Sequence, residues 1–405
     1  MEISNIKKVN DDLFLEIHRD FPNVRESWDN IVELTNAGIY STYDWCETWW
    51  SRYKFDRELR IFLIYSSKHS RLVGVLPMII DAVRIGLQRF RLAKTIGSDF
   101  TLSSCEIPIR IEYAEKALNK IVTELITNDY CDAILFGPII TNNHSTQLVN
   151  NVKNIKGDTR IIEYESSRPH AIFKLPKSFD EYMMSIGKST RGNYKNRWNR
   201  LRKKYEVVED IVKEPFSREN VFPAFMKMHA EQWSKMKMPG HFGDWPSASE
   251  FHKDLAIRQS KQNRFMLFRL SASGIPINYR YAYAYGNTIY SLLTARMQGG
   301  DWDRFALGQL SYIRLIAWAI KEGYTQIDAG PGHYPHKLQF GATEHIRRSI
   351  LLINNNFISR WRCLNFRIQG KLLDLIYYKI WFSRVAPKLG VRDVLWGSWI
   401  RRQFF

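Results

Sequence analysis

Cysteine is scarce in this chain. Its 405 residues hold only Cys46, Cys105, Cys131 and Cys363, far apart and with no Cys-x-x-Cys pair, which argues against a disulfide framework or a thiolate metal site. A reducing, cytoplasmic setting suits that usage. No stretch approaches the roughly 18 uninterrupted apolar residues of a membrane-spanning helix. The N-terminal residues mix Glu, Lys, Asp and Arg among apolar ones, so no signal peptide is expected either. Acidic residues are in deficit, 41 against 59 Lys and Arg, for a formal net charge of +18. The hydrophobic fraction of 45% is that of a folded protein with a substantial core, and the length suggests two or three domains.

The deficit is concentrated. Residues 188–204 carry Lys188, Arg191, Lys195, Arg197, Arg200, Arg202, Lys203 and Lys204 with no acid, and residues 357–405 carry ten Lys or Arg against Asp374 and Asp393, so each run is worth +8. In the first run Tyr194, Trp198, Leu201 and Tyr205 recur at i, i+4, i+7 and i+11. That spacing predicts a helix docked by an apolar stripe with its cations outward. Such a face suits an anionic partner: CoA phosphates, a nucleotide- or lipid-linked sugar, tRNA, or an acidic membrane surface. Arg191, Asn193 and Lys195 are candidate substrate contacts here, joined from later strands by Tyr283 and Arg296. The second run is interleaved with Trp361, Tyr377, Tyr378, Trp381, Trp396 and Trp399, a composition suited to membrane headgroup depth. No RRM, KH or zinc-finger signature accompanies the charge, so DNA is not an expected partner.

The order of elements repeats. In the first half Arg60 to Tyr65 and Gly74 to Ile79 read as a strand pair around a polar turn, Ser66 to Arg71; in the second, Arg264 to Arg269 and Ile277 to Tyr285 do the same around Ser271 to Gly274. Each half continues with a helix and a strand ending in Gly-Pro. These are Ala114 to Ile126 before Gly137-Pro138, and Gly308 to Lys321 before Gly330-Pro331. A duplicated α/β (α+β) fold with mixed sheets follows. Its domains are expected at 1–160 and 161–355, with a basic, aromatic helical tail at 356–405. The first boundary falls among loop-forming residues, Asn142 to Thr146 and Arg168-Pro169.

The densest chemistry follows the second Gly-Pro helix. Leu310, Ile313, Ala317 and Ile320 recur at helical spacing, and Gly323 sits where a helix end wants positive φ. A short strand then delivers Asp328, and within ten residues His333, His336 and Lys337 follow in a loop shaped by glycines and prolines. These four are candidate catalytic residues, with His333 the preferred base and Asp328 orienting either it or the acceptor. His333-x-x-His336 lacks a third ligand at helical spacing, so no metal is expected. The first half has Ile139 to Asn143 at the equivalent place and reads as structural.

Several segments resemble a known family. Ser41 to Trp50, Val73 to Pro77, Gly97 to Phe100, Leu175 to Tyr182 with Lys188 to Tyr194, and Asp328 to Lys337 are similar to landmarks of the CelD/BcsL-type acetyltransferase-like proteins. Those proteins lie within the GNAT superfamily and are related to Fem-type aminoacyl transferases. The last segment keeps Asp328, Gly330, Gly332 and Lys337 of the family pattern, with His333 where an acid is usual and His336 where a Tyr is usual. The resemblance implies tandem GNAT-like domains, the second of them catalytic. It implies acyl-CoA, acetyl-CoA first, as co-substrate, with its pyrophosphate at the helix start formed by Arg304, Leu307, Gly308, Gln309 and Leu310. It also implies an amine or hydroxyl acceptor from extracellular polysaccharide or cell-envelope biosynthesis, and contact with the membrane or a polysaccharide synthase. A Fem-type transferase using aminoacyl-tRNA on peptidoglycan, and a non-catalytic scaffold for a synthase, are the alternatives.

Overall fold

The computed structural model describes residues 13–66, 71–85, 88–99, 104–140, 159–165, 168–217, 219–235, 240–243, 247–386 and 388–389. The expected loop Asn142 to Thr146, and Trp396 and Trp399 of the tail, lie outside the described residues. Contacts divide the described residues into two units, those of 13–165 with 347–370, and those of 168–346 with 371–389.

The first unit runs β1 (Leu13–His18), α1 (Arg25–Leu34), α2 (Tyr43–Tyr53), β2 (Glu58–Ser66), β3 (Arg71–Ile85), β4 (Gln88–Thr95), α3 (Ile111–Thr127), β5 (Ala133–Ile140) and β6 (Thr159–Glu165). The second unit begins with β7 (His170–Lys174), α4 (Phe179–Ser185), α5 (Lys188–Lys204), β8 (Val207–Val212), α6 (Val221–Ser234) and α7 (Ala248–Lys261). It continues with β9 (Phe265–Ala272), β10 (Ile275–Tyr285), β11 (Thr288–Arg296), α8 (Leu307–Lys321), β12 (Gln326–Pro331), α9 (Pro335–Gln339) and β13 (Thr343–His345). The chain then returns to the first unit as β14 (Arg347–Asn354) and α10 (Phe357–Leu373), whose residues from 371, like the π-helical stretch Asp374–Val385 that follows, group with the second.

Each unit has one seven-stranded, mostly antiparallel sheet. The first is ordered β1-β2-β3-β4-β5-β14-β6 and the second β13-β7-β12-β11-β10-β9-β8. In each, four antiparallel strands lead into one parallel pair bridged by a helix: β4 with β5 through α3, and β11 with β12 through α8. The duplication expected from the sequence is therefore present. One assignment changes: Arg347–Asn354, inside the 161–355 stretch expected for the second domain, is inserted between β5 and β6 of the first sheet. Its Ile350, Leu351, Leu352 and Ile353 are buried, and a strand apolar on both faces needs cover on both.

Local chemistry explains the elements that frame the site. Ser178 accepts from the Glu181 N–H and caps α4, and Gly323 takes φ +83° just past α8. The stripe expected on α5 docks it, with Tyr194 and Leu201 buried and Trp198 and Tyr205 packed against the same core. Leu307, Leu310, Ile313, Leu315 and Ile316 bury α8 beneath the second sheet, each worth about 1.5–3 kcal/mol relative to exposure.

Buried histidines make the second unit acid-sensitive. Burial pushes His229 of α6 down to about 4 and His252 of α7 down to about 3, with neighbouring histidines acting in the same direction. Folded, both stay neutral, while the unfolded chain takes up protons below about 6.5, so stability is complete above that pH and falls as the pH drops toward 4. At pH 5 the loss is about 2 kcal/mol for each histidine. Denaturant titrations between pH 7 and 5 check this: His252→Phe should flatten the slope, and an unchanged midpoint across that range contradicts it.

Candidate active site

The parallel pair β11–β12 is the focus of the second unit. It holds together over only three residues, Thr288 to Tyr290 against Gln326 to Asp328, and then parts. Beyond the parting the backbone groups still need partners, and side chains supply them. On the β11 side, the Arg296 N–H donates to Gln232 Oε1 at 3.0 Å, and the Thr294 carbonyl lies 3.0 Å from His229 Nδ1, both from α6. On the β12 side, Lys337 of α9 donates from Nζ to the Ala329 carbonyl at 2.6 Å. Lys337 also lies 4.5 Å from the centre of the Tyr334 ring.

That placement makes Lys337 unusual. Burial pushes its ammonium down to about 8, with Arg280 acting in the same direction and Asp328 and Glu344 opposing. It can therefore hold or release a proton close to neutral pH. His336 is also held below the ordinary imidazole value by burial, Lys337 and Arg280, so it is neutral at pH 7. His333 is exposed, with Nδ1 2.8 and 3.1 Å from the two carboxylate oxygens of Glu344. A carboxylate at Nδ1 favours the N–H there and leaves Nε2 free to accept, the arrangement of an oriented general base.

Asp328 departs from the expected role. Read from the sequence as the group that orients the base or the acceptor, it is only 5% exposed, and Oδ1 is engaged by the Gly330 N–H at 2.8 Å and His170 Nε2 at 2.7 Å. Its strand is flanked by β11 and β7, and β7 brings His170 against the carboxylate. Asp328 thus shapes the turn that precedes α9 and reaches Lys337 through the field of its charge.

The start of α8 gathers cations. Arg280 of β10 is buried, with Nε donating to Ser311 Oγ at 2.9 Å, a further bond to the Gly308 carbonyl, and its guanidinium 4.2 Å from the Tyr312 ring centre. Burial pushes it down to about 10. Arg296 lies beside Gly308, where an added Cβ would meet its Cδ at 3.4 Å. No side chain caps α8, so its first turn presents N–H groups and a partial positive charge. Next to it, Arg197 donates to Gln309 Oε1 at 2.7 Å. A cavity of about 210 Å³ opens there, lined by Thr190, Asn193, Tyr194 and Arg197 of α5, by Gln309, Leu310 and Ile313 of α8, and by Gln339 and Phe340.

The sequence-derived residues divide accordingly. Asn193, Gln309 and Leu310 meet at this cavity, while Gly308 and Arg296 lie against each other at the start of α8. Arg191 instead donates to the Met183 carbonyl at 3.0 Å, and Lys195 is exposed outside the cavity lining. Arg304 shares Asp301 with Lys204, lying 3.2 Å from its carboxylate and 4.9 Å from the Phe305 ring centre. Leu307 is fully buried, leaving only its backbone for a ligand. Tyr283 is corrected: it is fully buried, its hydroxyl against that of Tyr281 and its ring among Phe265 and Tyr281.

The sequence reading missed His170, Arg280, Glu344 and the His229–His241 contact of 3.3 Å. Only Arg280 left a signal, as a charge inside an aromatic strand. Among the described residues no group of three His, Cys, Asp or Glu side chains is arranged to hold a metal ion.

Residues 188–338 match the family model described as the acetyltransferase (GNAT) domain. The match opens on the first residue of α5 and closes one residue after Lys337. No curated protein matches the chain by sequence. Among solved structures, FemX aligns over 86% of this chain and 100% of its own, with a TM-score of 0.59 at 13% identity. L-PGS from Bacillus licheniformis aligns over 84% and 94%, with a TM-score of 0.50 at 14% identity. A conserved protein of unknown function from Bacteroides thetaiotaomicron covers 84% and 100%, also at 0.50, with 11% identity. At these identities the likeness is one of fold. Residues 188–338 of the second unit are thus similar to the GNAT acetyltransferase domain, and both units share the plan of a mostly antiparallel sheet with one helix-bridged parallel pair. That domain places the parting of β11 and β12, the start of α8 and Lys337 within one matched stretch.

Proposed function

We propose that the second unit transfers an acyl group, acetyl in the first reading, from acyl-CoA to an amine or hydroxyl of a cell-envelope or extracellular polysaccharide precursor. The observation that carries the reading is the conjunction at one end of the sheet of an uncapped helix start flanked by Arg296 and Arg280 and a lysine of lowered pKa at the parted strand. Phosphates of the donor suit the α8 N-terminus. Lys337 suits the oxygen on which negative charge grows during acyl transfer, and His333, oriented by Glu344, takes the proton of the attacking acceptor. The polysaccharide acceptor comes from the family resemblance.

The first unit is read as structural. Its own parting between β4 and β5 is met by residues 104–110, with the Cys105 N–H donating to the Pro138 carbonyl. At the end of its β4, Lys94 and Arg57 are buried with Asp81 and Asp99, Lys94 Nζ lying 2.6 Å from Asp99 Oδ1.

An aminoacyl-tRNA donor is the second reading, favoured by the exposed Lys188, Lys195, Arg200, Arg202 and Lys203 of α5, which no acid on that helix offsets. The likeness to FemX in fold is compatible with it. The two are separated by thermal shift: acetyl-CoA is expected to raise the Tm of the wild type, and Arg296→Gln to weaken that effect about tenfold in donor concentration. Stabilisation by charged tRNA and not by any acyl-CoA would replace the first reading with the second.

A further inference from the structure

Helix α10 has two apolar faces on opposite sides. Ser359, Cys363, Phe366 and Gly370 turn inward, Phe366 stacking on Phe90 at 4.8 Å and packing with Cys363 over Leu92, Leu135 and Leu351 of the first sheet. Phe357, Trp361, Leu364, Ile368 and Leu372 recur at i, i+4, i+7, i+11 and i+15 and are 45 to 82% exposed. Leu375 and Ile376 prolong this stripe into the π-helical stretch, also exposed. An amphipathic helix normally shows water its polar side, so a second apolar stripe of four turns marks a surface made to be covered.

The charges around the stripe favour one cover. Arg360 and Lys371 are exposed beside it, and residues 357–389 hold seven Lys or Arg against Asp374 alone. A second copy of this chain would set two such faces against each other and suffer the repulsion. A protein partner's interface core is normally poor in lysine, whereas a helix lying in the headgroup layer takes an apolar stripe, a Trp and flanking cations together. No helix among the described residues is long and apolar enough to cross a bilayer. We propose that α10 and its continuation lie flat on an anionic lipid surface, with Trp361, Leu364 and Ile368 sunk to the acyl boundary and Arg360 and Lys371 among the phosphates. This surface is independent of the transfer chemistry, and either can fail without the other.

Flotation of the full chain with vesicles tests it. Binding is expected to a two-to-one mixture of phosphatidylcholine and phosphatidylglycerol, with little to phosphatidylcholine alone, and to weaken as salt is raised. The double variant Leu364→Gln and Ile368→Gln removes only exposed side chains, and its partition coefficient should drop roughly tenfold or more at unchanged Tm. A second measurement does not depend on that variant. The four native cysteines are buried, and burial pushes the thiols of Cys105 and Cys131 up to about 12 and that of Cys363 to about 11. Leu364→Cys can therefore be labelled selectively with a solvent-sensitive fluorophore. A blue shift on the mixed vesicles supports the proposal. No shift, binding unchanged in the double variant, or a dimer that the double variant dissociates while vesicles are ignored, would each overturn it.

Discussion

Replacing Lys337 by Met is expected to lower the rate of acyl transfer by about 10²–10³-fold while leaving donor binding within about twofold. The length and apolar stem of the side chain are kept, so the loss isolates the ammonium. Lys337 is held by the Ala329 carbonyl, a group left without a strand partner where β11 and β12 diverge, and burial brings its pKa to about 8. A folded pKa below the ordinary lysine value of about 10.4 means that the protein stabilises the neutral form, at a cost to folding at neutral pH. A surface lysine could avoid that cost, which points to chemistry as the reason for its place. If the ammonium supports charge on the acyl oxygen, the wild-type rate should fall as the pH rises through about 8. The variant should lose that limb of the profile. Rates within threefold of wild type, with the limb intact, would remove Lys337 from the mechanism.

Asp328→Ala should act mainly on stability, costing about 3 kcal/mol and lowering the Tm by about 6–12 °C. The carboxylate accepts from the Gly330 N–H and engages His170, whose other ring nitrogen has no hydrogen-bond partner among the described residues. Truncation would leave both groups buried and unpaired. Asp328→Asn keeps an oxygen at the acceptor position and should retain most of the stability, so the pair of variants separates the hydrogen bonds from the charge. Calorimetry decides the point. A normal Tm for the Ala variant together with lost turnover would restore Asp328 to a direct catalytic role.

Much of this arrangement was legible along the chain because its signals are local. Apolar runs around polar turns marked the strand pairs, helical spacing marked α5 and α8, and the strand ending in Gly-Pro after each helix announced the duplication. The cluster from Asp328 to Lys337 stood out since four chemical groups fall within ten residues. The basic runs were equally visible, being matters of composition.

Other features depend on residues far apart in the chain. His170 and Asp328 are 158 positions apart and meet because β7 pairs with β12. Arg280 reaches Gly308 and Ser311 only through the packing of α8 on β10. Tyr283 looked available by type, yet β10 is covered on both faces, and Asp328 lies on a strand flanked by β11 and β7 with His170 against its carboxylate. Sequence thus determined which elements form, their duplication and where charge accumulates, because each depends on neighbours within one or two turns. Tertiary structure alone decided the insertion of β14 into the first sheet, the burial of Asp328 and the lowered pKa of Lys337. Burial and field are set by whatever the fold brings within a few ångströms, and spacing along the chain does not encode that.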